Sequence, residues 1–148
     1  MRTSTTTGMR AAMAAAIGLG LAACARADAP KPAARPEVTL LLQGGADVLG
    51  RPLAYPAGTP QVTAAVVTLP PGAETGWHSH AVPLYGQVLE GTLTVDYGAR
   101  GERVLPAGAS ILEAMDWPHN GRNDGSTAVR ILVVYMGAEG VPNTEAAD

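Results

Sequence analysis

The sequence predicts an all-β domain of short antiparallel strands, and three observations support this fold class. The 148 residues include 18 Gly and 12 Pro, which suits strands joined by tight turns better than a helical bundle. Short apolar or alternating segments recur along the chain, and turn residues separate them. From Glu37 onward, no segment has an 11-residue helical period. A β-sandwich or β-barrel is therefore expected.

The strand candidates follow one another along the domain. In order they are Val38–Leu42, Gln61–Leu69, the segment at Val88–Leu89, Thr92–Tyr97, Arg103–Leu105, Ala109–Glu113 and Thr127–Met136. Thr92–Tyr97 alternates polar and apolar residues, as a half-buried strand does. Gly- and Pro-containing turns, such as Pro70–Gly72, separate the candidates. Thr127–Met136 is predicted to be the last core strand, and Val141–Asp148 is predicted to be a polar tail.

Composition and charge exclude several classes of protein. Apolar residues make up 47% of the chain and charged residues 16%, so we expect a packed core rather than global disorder. The formal net charge of −3 argues against a nucleic-acid partner, which would require a basic face. A single Cys excludes an intramolecular disulfide and any metal site that needs several Cys from one chain.

Residues 1–23 have the pattern of a secretory signal. Arg2 and Arg10 lie in a segment without acidic residues, and an uncharged apolar run, Ala11–Ala23, follows. That run is shorter than the roughly 20 apolar residues that a membrane-spanning helix needs. A surface helix of the domain would show a polar stripe for solvent, whereas this run is apolar all round. We therefore predict a signal peptide.

Residues 21–24, Leu-Ala-Ala-Cys, resemble the lipobox of bacterial lipoproteins. The resemblance implies that the chain is cut before Cys24 and that the acylated thiol is the membrane anchor. Ala25 follows where an Asp would signal retention at the inner membrane, so the periplasmic side of the outer membrane is favoured. Residues 24–36 are rich in Ala and Pro and are predicted to be a semi-rigid tether. Residues 37–148 then form one domain.

The three histidines are the residues best suited to chemistry in this chain. His78 and His80 are separated by a single residue. On a strand this spacing places both imidazoles on one face, about 6–7 Å apart along the backbone. His119 follows 39 residues after His80. Three imidazoles from two strands can form one face of a metal site, with the other positions open to water or substrate. From the residues alone, three unrelated surface histidines remain the alternative.

The residues around the histidines resemble the two sequence motifs of the cupin family. Gly72, His78, His80 and Gly91 match the first motif, and Pro106, Gly108, His119 and Asn123 match the second. The resemblance covers about residues 60–137 and is closest to small single-domain bacterial cupins. It implies an antiparallel jelly-roll barrel, or double-stranded β-helix, with a metal ion inside. It also implies that His78, His80 and His119 are metal ligands.

One position departs from the family pattern. Where cupins carry a Glu ligand, seven residues before Gly91, this chain has Leu84. Three outcomes stay open: a three-His site, a substitute carboxylate, or loss of metal binding. Glu113 is the better substitute, because it ends a strand that leads towards His119, although it could also face solvent or pair with Arg122. Glu74 lies too far before His78 along the strand.

Strand parity suggests further pocket residues and an interface. Leu84 and Gly86 share one face, and Gly86 would leave room for a ligand beside the metal. Trp117 is expected to line the mouth of the pocket, and Asn123 matches a motif position with either a pocket or a structural role. The opposite face of the strand carries Tyr85, Gln87 and Leu89, a row that suggests a homodimer interface.

The resemblance implies a small-molecule ligand or substrate and one divalent transition metal, such as Fe, Mn, Zn or Ni. The first expectation is a dioxygenase-type oxidoreductase that acts on a small anionic substrate. The second is a non-catalytic cupin that holds a metal or a small ligand. A metal-independent isomerase ranks third, because no His–Asp pair is evident that could act as an oriented general base. No catalytic residue is assigned from the sequence.

Overall fold

The computed structural model describes residues 35–147, and these residues form short β-strands joined by turns and one 3-10 turn at Gly98–Arg100. The strands are β1 (Pro60–Leu69), β2 (His78–Ser79), β3 (Leu84–Glu90), β4 (Thr92–Asp96), β5 (Glu102–Pro106), β6 (Ser110–Leu112), β7 (Asn120–Arg122), β8 (Val129–Ala138) and β9 (Glu145–Ala146). The predicted all-β class is confirmed.

The strands form three antiparallel sheets. The largest has the order β1-β8-β3-β6, a second has the order β5-β4-β7, and β2 pairs with β9. Strands that are distant in sequence lie side by side, since β1 pairs with β8 over its whole length. This arrangement of antiparallel sheets is a jelly roll.

The core lies between the two larger sheets. In β3, alternate residues such as Leu84 and Val88 are buried, while the residues between them are partly exposed. This alternation follows from the pleat, which points successive side chains to opposite faces. Leu93 and Val95 of β4 and Ile131 of β8 belong to the same buried cluster. The inward faces of both sheets therefore enclose the space in which a site can form.

The turn between β3 and β4 depends on a glycine. Gly91 has φ 77°, and a Cβ built on it would lie 2.7 Å from the carbonyl oxygen of Ala128. Glycine alone combines a positive φ with so close a backbone approach. The motif glycine thus fixes the connection between the two sheets.

Two sequence predictions differ from the structure. Val38–Leu42 is extended but forms no strand, and Val38 is 91% exposed. A strand needs a neighbouring backbone to satisfy its N–H and C=O groups, and among the described residues none pairs with this segment. Conversely, the predicted polar tail contains β9, which pairs with β2.

Asn123 is a structural link rather than a pocket residue. Its side-chain amide donates to the carbonyl oxygens of Leu69 (2.9 Å) and Thr127 (2.8 Å), and its carbonyl accepts from the amide of Gly125 (3.0 Å). The side chain is 2% exposed and lies outside the lining of the central cavity. Asn123 therefore holds the turn that precedes β8 against the end of β1.

The predicted signal (1–23), the lipidation site Cys24 and most of the tether (24–36) lie outside the described residues. Within residues 35–147, no helix is long and apolar enough to cross a membrane.

Replacing Asn123 with Ala should lower the free energy of unfolding by about 2 kcal/mol, because it leaves the buried carbonyl of Leu69, the partly buried carbonyl of Thr127 and the amide of Gly125 without their partner. Urea denaturation of residues 37–148 would measure the change. Ser126→Ala, in the exposed part of the same turn, is the matched control and should change stability by less than about 0.5 kcal/mol. Equal stability of the two variants would contradict the linking role of Asn123.

Candidate metal centre

The three histidines meet at one end of the barrel. His78 lies in β2, His80 follows that strand, and His119 immediately precedes β7. One ring nitrogen of each residue lies within 4.8 Å of the others. Among the described residues, this is the group of His, Cys, Asp or Glu side chains placed closely enough to hold a metal ion. The structure therefore brings together all three residues that the sequence singled out.

Backbone pairing sets the distance between the two motifs. The amide of His78 donates to the carbonyl of His119 (3.0 Å), and the amide of His119 donates to the carbonyl of His78 (2.9 Å). The two residues thus form a reciprocal antiparallel bridge, and their ring centroids lie 4.4 Å apart. His80 is buried below them and bridges to Met115.

Each imidazole is oriented by a backbone carbonyl. Nδ1 of His78 lies 2.8 Å from the carbonyl of Gly76, and Nδ1 of His119 lies 2.8 Å from that of Trp117. Nδ1 of His80 lies 2.9 Å from the carbonyl of Asn143, in the C-terminal segment. A carbonyl only accepts hydrogen bonds, so each Nδ1 carries the proton. Each Nε2 then keeps a free lone pair, which is the arrangement of metal-binding histidines.

Burial favours the neutral form of two of these imidazoles, those of His78 and His80. Desolvation lowers the pKa of His78 below its ordinary value, although the carbonyl of Gly76 opposes part of this effect. Burial likewise lowers the pKa of His80 to about 4, against the opposing effect of the Asn143 carbonyl. A neutral imidazole is the form that binds a metal. The donor set, the spacing and the protonation therefore fit a divalent transition metal.

A cavity of about 90 Å³ adjoins the histidines and extends between the sheets. Its remaining wall is mostly aliphatic, with Thr75, Glu113 and Tyr135 as polar members; the aliphatic residues and glycines are Val67, Leu84, Gly86, Leu93, Val95, Ile111, Gly121, Ile131 and Val133. Leu84 and Gly86 line it as expected. The space over Gly86 is partly filled, because a Cβ there would lie 3.2 Å from Cγ2 of Ile111.

Glu113 is buried in this wall and does not pair with an Arg. It is 7% exposed, and its Oε1 accepts from the Tyr97 hydroxyl (2.6 Å) and the Ala114 amide (2.7 Å). Its carboxylate lies outside the close group of histidine nitrogens. The partly buried Arg122, the nearest candidate partner in sequence, pairs with other carboxylates, those of Asp96, Glu102 and Asp124.

Glu113 stands opposite Leu84 across a strand pair. The amide of Glu113 donates to the carbonyl of Leu84 (2.9 Å), which continues the β3–β6 register beyond Tyr85↔Leu112. Directly opposed residues on antiparallel strands share a face. Glu113, which directly follows β6, therefore lies next to Leu84 of β3, the position at which a cupin carries its Glu ligand.

Tyr97 is a residue that the sequence reasoning missed. It is fully buried, and burial followed by the neighbouring Glu113 raises the pKa of its phenol, so it stays a hydrogen-bond donor. Its ring lies 5.7 Å from that of His119. The alternation of Thr92–Tyr97 placed Tyr97 on the inward face with Leu93 and Val95, and this signal could have identified it.

Other sequence candidates lie away from the cavity. Trp117 lies outside its lining; its indole N–H donates to the carbonyl of Tyr97 (3.0 Å), and Arg100 lies over its ring. Glu74 accepts from the side chain of Asn120 (2.8 Å) and is not among the clustered ligands. Trp77 and the C-terminal Thr144 instead line a separate surface pocket, which shares Thr75, His78 and Tyr135 with the cavity wall. The tail was missed because its contact with His80 is made by a backbone carbonyl.

Comparison with known proteins supports the same class. Residues 65–135 match the family model described as Cupin domain. Together with the jelly-roll fold and the histidine triad, this match supports a cupin domain in this part of the chain. No curated protein matches the sequence significantly.

Solved structures with related folds include lyases and an oxidase. The DMSP lyase DddQ from Ruegeria pomeroyi DSS-3 aligns with a TM-score of 0.52 and 21% identity over 66% of this chain and 47% of its own. A DMSP lyase structure described with RdDddP and RnDddQII has a TM-score of 0.51 and 20% identity over 59% and 44%. An oxalate oxidase has a TM-score of 0.50 and 24% identity over 58% and 46%. The chain thus spans less than half of each, and likeness at such identities shows the fold alone.

The double substitution His78→Ala/His80→Ala should abolish stoichiometric binding of Co²⁺, because a single imidazole cannot hold the ion against water. Titration followed by the cobalt visible absorption band would measure it. Glu113→Gln should change Co²⁺ affinity by less than about 10-fold, the lower bound for losing a partner of a metal ligand. A loss as large as that of a single His→Ala change would instead identify Glu113 as a direct ligand.

Proposed function

We propose that this protein is an envelope-anchored cupin that binds one divalent transition metal and uses it in a dioxygenase-type oxidation of a small anionic substrate. The observation that carries the proposal is the oriented triad: three imidazoles, each with Nδ1 on a carbonyl and Nε2 free, beside a largely apolar cavity. The proposal combines metal binding with a place for a small ligand.

Charge and size point to the kind of ligand. Three neutral imidazoles leave a bound dication with its full charge, which favours an anionic ligand in an environment of low dielectric constant. A cavity of about 90 Å³ admits a molecule of only a few heavy atoms. With Leu84 in place of a carboxylate ligand, more of the coordination sphere is available to such a molecule. When bound, the metal would supply redox chemistry with oxygen, for which Fe is the best suited of Fe, Mn, Zn and Ni.

The chain's own residues contribute positioning and exclusion of water. The carbonyls of Gly76, Trp117 and Asn143 hold the rings in one orientation, so little reorganisation is needed when a metal or ligand enters. Aliphatic side chains such as Val133 and Ile131 keep the cavity wall apolar, which strengthens electrostatic interactions inside it.

The alternative proposal is a non-catalytic cupin that stores or senses a metal or a small ligand. The observation that favours it is Leu84, because the triad here lacks the carboxylate that cupins usually add. Both proposals require metal binding, and they differ in whether turnover follows.

Oxygen consumption separates the two. Residues 37–148, loaded anaerobically with Fe²⁺, should consume oxygen stoichiometrically with a small enolic, phenolic or 2-hydroxy acid substrate. An oxygen electrode combined with product analysis would measure it, and the His78→Ala/His80→Ala variant is the control. Tight ligand binding without oxygen uptake across the whole panel would favour the non-catalytic cupin.

We further propose that Cys24 anchors the protein to the periplasmic side of the outer membrane, on the strength of its Leu-Ala-Ala-Cys context. Cells supplied with a clickable fatty acid should label the wild type and not Cys24→Ala, because the thiol is the acceptor. Ser4→Ala, in the same leader, should label normally. Equal labelling of the wild type and Cys24→Ala would contradict the proposal.

We also propose that two copies associate through the outer face of the four-stranded sheet. Val62 and Val66 of β1 are 66% and 47% exposed and lie beside Met136 and Leu132 of β8 on that face. The row of Tyr85, Gln87 and Leu89 on β3 borders it. Light scattering should report a dimer at tens of micromolar, and Val66→Lys should yield a monomer with an unchanged circular dichroism spectrum. A wild-type monomer would refute the interface.

A further inference from the structure

One carboxyl oxygen of the buried Glu113 accepts hydrogen bonds from the protein, and the other accepts none from the described residues. Oε1 accepts both the Tyr97 hydroxyl and the Ala114 amide. Within residues 35–147, no group donates a hydrogen bond to Oε2, and Glu113 forms no salt bridge. The described chain also contains no fully buried side-chain oxygen that lacks a partner. Oε2 is therefore reached through the cavity that Glu113 lines.

An arrangement of this kind is costly to the fold. Glu113 is more than nine-tenths buried, among aliphatic residues such as Val95 and Ile111. A buried carboxylate without a cation is destabilising unless its oxygens are hydrogen-bonded. Here the protein supplies donors for one oxygen alone and aims the other at the space beside the histidines. The position of Oε2 thus defines an acceptor for a group that the cavity receives.

We infer that the cavity takes a small monoanion that carries an O–H or N–H donor beside its metal-binding group, and that this donor binds Oε2 of Glu113. The inference rests on the proposed metal site and names the class of ligand for it. An anionic group on the ligand would balance part of the charge of the metal dication. The 2-hydroxy acids are the simplest members of this class.

Lactate and pyruvate distinguish this class from small anions in general. The two have the same size and charge, and both can chelate a metal through a carboxylate and the neighbouring oxygen. Lactate presents a hydroxyl donor at that oxygen, whereas pyruvate presents an acceptor only. A free carboxylate oxygen accepts a hydrogen bond from the lactate hydroxyl and repels the keto oxygen of pyruvate.

Substitution by Gln should invert this preference. The Tyr97 hydroxyl and the Ala114 amide both donate to Oε1, so a Gln side chain keeps its carbonyl oxygen at that place. Its NH₂ group then occupies the position of Oε2 and turns a donor towards the cavity. The shape of the site is preserved, while the acceptor that faces the ligand becomes a donor.

The experiment measures the affinities of lactate and pyruvate for Co²⁺-loaded residues 37–148 under argon, from changes in the cobalt visible spectrum. We expect the wild type to favour lactate over pyruvate by about 10-fold or more beyond the ratio for aqueous Co²⁺, since a hydrogen bond to a charged group contributes about 1.5–3 kcal/mol. Glu113→Gln should lose or reverse that preference. Glu90→Gln removes an exposed carboxylate on the surface and should leave it unchanged.

The outcomes separate this inference from the metal site itself. Equal lactate-to-pyruvate ratios in the wild type and Glu113→Gln would overturn the ligand class while leaving the metal centre intact. Failure of the wild type to bind Co²⁺ would contradict the proposed function and the ligand class with it. Should Glu113→Gln not fold, the wild-type ratio still decides: a ratio equal to that of aqueous Co²⁺ would refute a donor to Glu113.

Discussion

The candidate metal centre depends on the reciprocal backbone pair between His78 and His119. These residues lie far apart in the chain, and two hydrogen bonds of 3.0 and 2.9 Å hold their Cα atoms side by side. Without that bridge the first motif would carry two imidazoles and the second would carry one, with no shared point between them. Backbone carbonyls accept from Nδ1 of each ring. Each ring therefore presents its Nε2 to the space between the three histidines.

The C-terminal segment completes the site from outside the two motifs. β9 pairs with β2, the strand that carries His78, and the carbonyl of Asn143 clamps His80. The amide of Ala147 also donates to the carbonyl of Trp77 (3.1 Å), the residue before His78. The orientation of His80, one of the three candidate ligands, is therefore coupled to the docking of the last described residues.

Polarity inside the barrel is concentrated in few groups. The walls between the sheets are aliphatic, and the Tyr97–Glu113 pair is the main polar feature beneath the histidines. In a medium of low effective dielectric constant, such a pair acts on a bound ion or ligand more strongly than the same groups would in water. Glu113 thus places a carboxyl group in the cavity opposite Leu84, with Tyr97 and the Ala114 amide as its partners.

The sequence by itself determined the all-β class, most strand positions and the three histidines, because these depend on local alternation, turn residues and spacing within each motif. Tertiary structure decided the rest. Glu113 is buried because β6 pairs with β3 and its end lies opposite Leu84. Val38–Leu42 stays unpaired because no neighbouring strand accepts it within the described chain. Asn143 contributes a main-chain carbonyl, which no residue type reveals, so its role arises only when the chain folds back on β2.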